Sequence, residues 1–447
     1  LAALEPFVNR LAGQLSGGMK QKLGLICALL RKPKLLLLDE PSVGVDPLSR
    51  LELWKLIEGL LKEGITILWS TAYLDEAERC DKVLLLHEGK LLFQGPPQEM
   101  TDKLIGHTFK ISGIKEHVRK RLLTALQRPN VIDGTIQGHD LRLVVREEKD
   151  LPPILHGEKI VSVPPRFEDA FIEILGGGPG GSSILADKVT VIKNGRQDVI
   201  QAERLTKKFG SFVAANNITF TVKRGEVFGL LGPNGAGKST TFKMLCGILR
   251  PTSGKAFVNG KDLQKASGEA RAQIGYMAQK FSLYGNLSVL QNLDFFSSIY
   301  NLKGKDREQK VDEMIDIFNL QPYLDFSAEK LPLGFKQRLA LSCAVMHRPE
   351  VLFLDEPTAG VDPITRREFW NHINGLVEKG VTAIVTTHFL DEAEFCDRIA
   401  LIYQSHIIEI GSPDELKIKA NVPNVAQPTL EEAFIQLILN YKKQSNV

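Results

Sequence analysis

The sequence predicts an α/β fold laid down twice in tandem, with the first copy incomplete and a small appended α/β module after it. Three observations carry this. A single offset of 316 residues places Leu35–Pro47 (LLLLDEPSVGVDP) on Val351–Pro363 (VLFLDEPTAGVDP). The same offset relates Leu15 to Leu331, Trp54 to Trp370, Leu74–Glu78 to Leu390–Glu394, and Cys80-Asp81 to Cys396-Asp397. Short apolar runs, Val227–Leu231, Val351–Leu354 and Val381–Thr386, read as buried parallel strands and alternate with longer amphipathic segments. One of those runs, Val227–Leu231, feeds a glycine-rich turn and then a helical stretch.

Composition bounds the rest. The chain has 447 residues, 43% hydrophobic and 24% charged, which is enough for two or three domains with real cores and excludes a disordered chain. A net charge of +3 argues against a dedicated nucleic-acid binder, so no nucleic-acid partner is expected. Cys27, Cys80, Cys246, Cys343 and Cys396 lie far apart with no CxxC pair, excluding a disulfide framework or a zinc ribbon. Cys27 matches Cys343 and Cys80 matches Cys396 under the repeat, as small packing residues would. No apolar run approaches the roughly 18–20 residues a membrane helix needs.

The elements follow in order. Residues 1–100 read as the back half of the first domain and 101–175 as a small accessory α/β domain. Within it, Val118, Leu122 and Leu126 form the apolar side of a helix whose Arg119-Lys120-Arg121 run is expected to be a solvated face. The stretch 131–145 alternates as strands do. Residues 176–198, opening with GGGPGGSS, have the composition of a flexible linker. Residues 199–417 form a complete second domain, and 418–447 a tail. A second internal pair, Pro165–Leu175 (PRFEDAFIEIL) and Pro428–Ile438 (PTLEEAFIQLI), has an offset of 263, so the first copy carries 53 additional residues before its closing segment. That segment predicts a helix, with a Thr429/Glu432 capping box and Leu430, Phe434 and Ile438 at four-residue spacing. The second copy opens near Val199, and subtracting 316 puts the expected start of the first before residue 1, which is Leu. The expectation is therefore a chain lacking the front of its first domain.

The turn Gly232-Pro233-Asn234-Gly235-Ala236-Gly237-Lys238-Ser239-Thr240 satisfies GxxxxGK[ST] between a strand and a helix. Glycines let backbone N–H groups turn inward around phosphate oxygens, and a helix N-terminus adds a favourable field. Lys238 is expected to reach the β- and γ-phosphates, with the Ser239 hydroxyl on Mg²⁺. Asp355, at the tip of a buried strand, suits the magnesium's outer shell, and the adjacent Glu356 can polarise an attacking water.

Together these residues resemble the ATP-binding-cassette (ABC) ATPases, over nearly the whole chain apart from 101–164. Leu15-Ser16-Gly17-Gly18-Met19 is similar to that family's signature, usually LSGGQ, and Asp355-Glu356 to its Walker B end. Ser42–Asp46 and Thr358–Asp362 resemble its D-loops. Gln279 resembles the Q-loop glutamine, a further metal ligand, His388 the switch histidine, and Phe209 the aromatic that stacks on adenine. The tandem layout resembles the YbhF-type ATPase subunits of bacterial drug and cation exporters. The resemblance implies ATP and Mg²⁺, hydrolysis coupled to transport, ABC-2 type integral-membrane permease partners met near Lys280–Tyr284, and a peripheral place on the cytoplasmic face of the inner membrane. It also implies domains that pair head to tail, within or between chains, with each ATP between one phosphate loop and the opposite signature. A soluble tandem ABC ATPase acting on ribosomes is the alternative. The join between copies lacks the long basic helix such proteins carry.

Head-to-tail pairing makes the sequence asymmetric. One site joins Gly232–Thr240, Gln279, Asp355, Glu356 and His388 to Ser16, Gly17 and Gly18, and reads as intact. The other would use Asp39 and Glu40, has Ala72 where the second copy has His388, and meets Leu331-Pro332-Leu333-Gly334-Phe335 as its signature. Pro332 removes a hydroxyl and an N–H, and Leu333 adds bulk where Gly allows approach. The expectation is one hydrolytic site and one degenerate site.

Overall fold

The computed structural model describes residues 8–15, 17–31, 33–115, 117–192, 195–265, 267–279, 283–425 and 427–444. In the second copy the apolar runs form a six-stranded sheet. Its order is Ile274–Met277, Val351–Asp355, Thr382–Thr386, Val227–Leu231, Arg398–Tyr403, His406–Gly411, parallel except for the last strand. Every residue of the three middle runs Val227–Leu231, Val351–Asp355 and Thr382–Thr386 is buried, as continuous apolar strands in a two-sided sheet must be. An antiparallel sheet built on Asp198–Phe209, Phe212–Lys223 and Ser253–Val258 packs beside it, with Phe220 stacked on Phe228. Helix Lys238–Leu245 is trapped by this core: Phe242 is fully buried and meets Phe353 edge-on at 5.4 Å.

The first copy repeats these elements at the offset of 316. Helix Gly17–Leu29 matches Leu333–Val345, strand Leu35–Asp39 matches Val351–Asp355, helix Pro47–Lys62 matches Pro363–Glu378, and strand Thr66–Ser70 matches Thr382–Thr386. In the second copy Val227–Leu231 stands between Thr382–Thr386 and Arg398–Tyr403. Among the described residues the first copy has no counterpart of that strand, so Leu35–Asp39/Thr66–Ser70 and the hairpin Val83–His87/Lys90–Gly95 form two separate sheets. Leu37 is accordingly 64% exposed, where its equivalent Phe353 is 0%.

The accessory segment is a four-stranded antiparallel sheet, ordered Val131–Gln137, Asp140–Val145, Thr108–Ser112, Lys159–Ser162, with helix Val118–Leu126 across one face. Leu122 and Leu126 are buried as their spacing requires. The basic run departs from expectation. Arg119 is buried, and its guanidinium donates to Asn374 Oδ1 at 3.2 Å, Asp397 Oδ1 at 2.7 Å and the Phe395 carbonyl at 2.7 Å, all in the second copy. A charge on an apparently solvent-facing helix side is here an anchor, because another domain covers that side and supplies its partners.

The segment read as a flexible linker is likewise packed over its first part. The Gly180 carbonyl accepts from Asn371 Nδ2, Ser183 Oγ lies 3.0 Å from His372 Nδ1, and Leu185 and Ala186 of the short helix Ile184–Asp187 are buried. Here the glycines allow close approach to helix Val118–Leu126: a Cβ on Gly181 would sit 2.1 Å from the Leu123 carbonyl oxygen.

Both closing segments are helices, Phe167–Ile174 and Leu430–Gln444, and the Thr429/Glu432 capping box forms with bonds of 2.8 and 3.2 Å. Each reaches across to the other copy. Glu431 accepts from Arg50 Nη2 at 3.1 Å, while Glu168, its equivalent at offset 263, pairs with Arg367 at 3.2 Å beside Arg366, the equivalent of Arg50. Tyr73 and Phe389, equivalent at offset 316, meet edge-to-face at 5.0 Å. These reciprocal contacts relate the copies by an approximate two-fold through that aromatic pair.

Candidate active site

Strand Val227–Leu231 ends at Gly232, where a Cβ would lie 2.1 Å from the Ile402 carbonyl oxygen. Gly237 has φ +107°, and a Cβ there would sit 2.3 Å from the Ala214 carbonyl oxygen. Only glycine tolerates either position, so the turn through Pro233, Asn234, Gly235 and Ala236 is a backbone cradle fixed by its sequence. Gly237 caps helix Lys238–Leu245 with no side-chain bond to the first-turn N–H groups, which leaves those donors, with Ser239 and Thr240 among them, for an incoming anion. Lys238 folds back: its Nζ donates to the carbonyls of Gly232 at 2.6 Å and Pro233 at 3.1 Å. Burial pulls its pKa down to about 8, against the opposing pull of Glu356, Asp46 and Asp355.

Asp355 ends its strand buried, and Thr386 Oγ1 donates to its Oδ1 at 2.5 Å. Burial raises its pKa, partly offset by that bond. Glu356 follows with φ +51°, a left-handed conformation held by its N–H donating to the Thr386 carbonyl and hydroxyl, both at 3.0 Å. Its carboxylate receives Gln279 Nε2 at 2.8 Å on one oxygen and His388 Nε2 at 2.6 Å on the other. Burial alone would raise the Glu356 pKa. The hydrogen bond and charge of His388, the Gln279 bond and the Lys238 charge outweigh burial, and the group sits below its usual value. His388 Nδ1 is buried without a hydrogen-bond partner.

The first copy sets the equivalent group oppositely. Glu40 has the same left-handed backbone, φ +46°, and the same amide bond to the Ser70 carbonyl, at 3.1 Å. Ser70 Oγ likewise donates to Asp39 Oδ1. At Ala72, however, only a backbone N–H reaches the Glu40 carboxylate, at 3.3 Å, and burial leaves its pKa raised.

The sequence-predicted residues Gly232–Thr240, Gln279, Asp355, Glu356 and His388 therefore meet at the C-terminal ends of the parallel strands of the six-stranded sheet. Phe209 lies at a hairpin tip, 52% exposed with Lys207 Nζ 5.1 Å from its ring, and so presents a free face. Gly17 and Gly18 open helix Gly17–Leu29; Ser16, and Lys280–Ser282 of the stretch expected to meet a permease, lie outside the described residues. In the second copy Pro332 is the cap of helix Leu333–Val345, with no side-chain capping bond, and Leu333 is exposed. The first copy's 42–46 loop reaches this site: the Gly44 carbonyl accepts from Asn234 Nδ2 at 3.0 Å, and Asp46 is among the charges acting on Lys238.

Sequence reading missed Thr386, which fixes both Asp355 and Glu356. Its signal was the hydroxyl that closes the strand in both copies, Ser70 and Thr386. It also missed the carboxylates Glu76 and Glu392, visible only as part of the repeated LDEAE.

The donor set fits a magnesium nucleotide. Asp355 is a buried carboxylate, Ser239 contributes a hydroxyl beside the cradle, and Gln279 commits its amide nitrogen to Glu356 while its carbonyl oxygen remains for a cation. Among the described residues, no group of three or more His, Cys, Asp and Glu forms a protein-only metal site. A lysine-bearing glycine cradle, with an acid pair ending a strand of the same sheet one strand away, defines a P-loop ATPase.

Comparison with known proteins narrows this. Residues 2–43 and 215–359 match the family described as ABC transporter. The chain is 56% identical over 448 residues to the probable multidrug ABC transporter ATP-binding protein YbhF of Escherichia coli (strain K12), covering 99% of this chain and 78% of that protein. It is 36% identical over 244 residues to the linearmycin resistance ATP-binding protein LnrL of Bacillus subtilis (strain 168), covering 54% of this chain and 78% of that one. A solved ATP-binding subunit of an ABC transporter superimposes with a TM-score of 0.50 at 26% identity, covering 54% of this chain and 99% of its own. The chain belongs to the ABC transporter ATP-binding proteins, P-loop ATPases whose hydrolysis is coupled to transport.

Proposed function

We propose that this chain is the ATP-hydrolysing motor of an exporter for drugs or cations, with one competent composite site and one degenerate one. The observation that carries the asymmetry is the opposite setting of two equivalent carboxylates: Glu356 lowered by His388 and Gln279, Glu40 raised by burial beside Ala72. An ionised Glu356 is the group that accepts the proton of the attacking water. His388 holds that carboxylate through Nε2, and its buried Nδ1 has no protein partner. Lys238 swings from the Gly232 and Pro233 carbonyls to the phosphates, and Phe209 stacks on the base. Ser239, Gln279 and Asp355 hold Mg²⁺, which neutralises phosphate charge when bound. Ser16, Gly17 and Gly18 of the first copy complete the site.

The reciprocal contacts of the closing helices and the Asn234–Gly44 bond favour pairing of the two copies within one chain. The drug cargo follows the naming of the multidrug relative, and the cation cargo rests on the resemblance of the tandem layout alone. No helix among the described residues is long and apolar enough to cross a membrane, so partners with ABC-2 type spans would supply the pathway, with this subunit on the cytoplasmic face.

The test is ATP turnover by the full-length protein with its copurifying membrane partners. Glu356→Gln abolishes turnover and Glu40→Gln leaves most of it. The reverse pattern refutes the assignment.

A further inference from the structure

One buried carboxylate recurs in each copy outside any role assigned above. In the second copy, Glu392 accepts from Thr358 Oγ1 and from Thr387 Oγ1 at 2.8 Å. It thus ties the loop after the acid pair to the residue before His388. In the first copy, Glu76 is fully buried and accepts on one oxygen from Ser42 Oγ at 2.9 Å, Thr71 Oγ1 at 2.7 Å and Trp69 Nε1 at 3.1 Å. The first copy keeps Ser42, Thr71 and Glu76 of this network bonded to one another although the residue it would steady, next to Thr71, is Ala72. Steadying a switch histidine therefore cannot be what it does.

The other end of the network has a use. Ser42 begins the 42–46 loop, whose Gly44 carbonyl accepts from Asn234 of the second copy's phosphate loop and whose Asp46 acts on Lys238. The Asp46 carboxylate is itself fixed by the Ser49 N–H at 3.1 Å and hydroxyl at 2.9 Å, so the loop is pinned at both ends. The equivalent loop, Thr358–Asp362, faces no phosphate loop among the described residues.

We infer that Glu76 and Ser42 are positioning residues for hydrolysis at the opposite copy's site: the degenerate copy keeps this network to hold its 42–46 loop against Gly232–Thr240. This rests on the reading of that site as the hydrolytic one. A hydroxyl bonded to a buried carboxylate fixes a loop more firmly than a neutral pair, because the charge strengthens the bond and leaving it unmade strands a buried acceptor. The Ser42–Glu76 bond thus orders a loop that touches the phosphate cradle without contacting the reacting atoms.

The test uses the full-length protein with its membrane partners and two isosteric exchanges that differ only in a hydroxyl. Ser42→Val lowers kcat about tenfold with KM for ATP within about twofold, the split expected when transition-state alignment is lost and ground-state binding is kept. Ser42→Thr retains wild-type kcat, since threonine makes the same bond at 358. Thr358→Val stays within about twofold of wild type. Should Ser42→Val fail to fold, Glu76→Gln gives the same comparison, with kcat reduced and KM unchanged. Equal losses in Ser42→Val and Thr358→Val, or a Ser42→Val kcat like wild type while Glu356→Gln is inactive, overturn the inference and leave the site reading standing. Turnover that survives Glu356→Gln overturns the site reading itself.

Discussion

Removing the imidazole at 388 should turn Glu356 into a second Glu40. In the native site burial pushes the Glu356 carboxyl up, and the 2.6 Å bond to His388 reverses that push. His388→Ala leaves burial opposed by Gln279 and Lys238 alone. The chain already contains such a case at Glu40, beside Ala72, whose pKa is raised. A hydrogen bond to a charged group contributes about 1.5–3 kcal/mol. At about 1.4 kcal/mol per tenfold, the loss in kcat is about one to two orders of magnitude on the acid limb, where the ionised fraction sets the rate. The pH profile carries the sign. A base works only when ionised, so the acid limb of kcat/KM reports protonation of Glu356 in the free enzyme. A lowered pKa keeps that limb below the ordinary carboxylate range in the wild type. A raised one moves it to higher pH in His388→Ala, so the variant recovers part of its deficit as pH increases. Phosphate release by the full-length protein, followed from acidic to weakly alkaline pH, measures both quantities. An acid limb that stays in place with kcat within about twofold of wild type refutes the reasoning, since it would mean His388 does not set the ionisation of Glu356.

Two further outcomes are expected. Gly237→Ala places a methyl 2.3 Å from the Ala214 carbonyl oxygen at φ +107°, so nucleotide binding is lost, read as the disappearance of ATP-dependent quenching or of bound labelled ATP, while the fold melts cooperatively. Arg367→Met strands Asp133 and Glu168, which the guanidinium holds at 3.1 and 3.2 Å, at a cost of about 3–5 kcal/mol in urea unfolding, with segment 101–175 becoming accessible to protease. Burial already lifts Asp133 to about 6 against the pull of Arg367. Removing the cation lifts it further, so the deficit of the variant shrinks as pH falls and Asp133 takes up its proton.

Much of the site was legible because its parts are local. Gly232–Thr240 encodes a backbone path through glycines, and the path needs few distant residues to exist. Asp355-Glu356 follows an apolar strand, and Thr429 with Glu432 caps a helix three residues apart. The misreadings share the opposite cause. Arg119 looked like a solvated residue because its partners Asn374, Phe395 and Asp397 lie more than 250 residues away. The glycines of 176–181 carried the composition of a flexible linker, yet the same lack of side chains lets the segment lie close against neighbouring backbone. Thr386 and Glu76 recur in both copies but showed no role, since a hydroxyl or a carboxylate becomes informative only when its partners are known.

By itself, the sequence determined the tandem repeat, the α/β elements, the phosphate cradle and the loss of a histidine at position 72. Each follows from short-range patterns, where residue type dictates backbone conformation or supplies a missing group directly. The tertiary structure decided the opposite pKa shifts of Glu356 and Glu40, the docking of helix Val118–Leu126 onto helix Pro363–Glu378, and the reach of the 42–46 loop to Asn234. These depend on burial and on charges brought together from distant parts of the chain, and the strength of a charge interaction is set by the dielectric and distance that only folding creates.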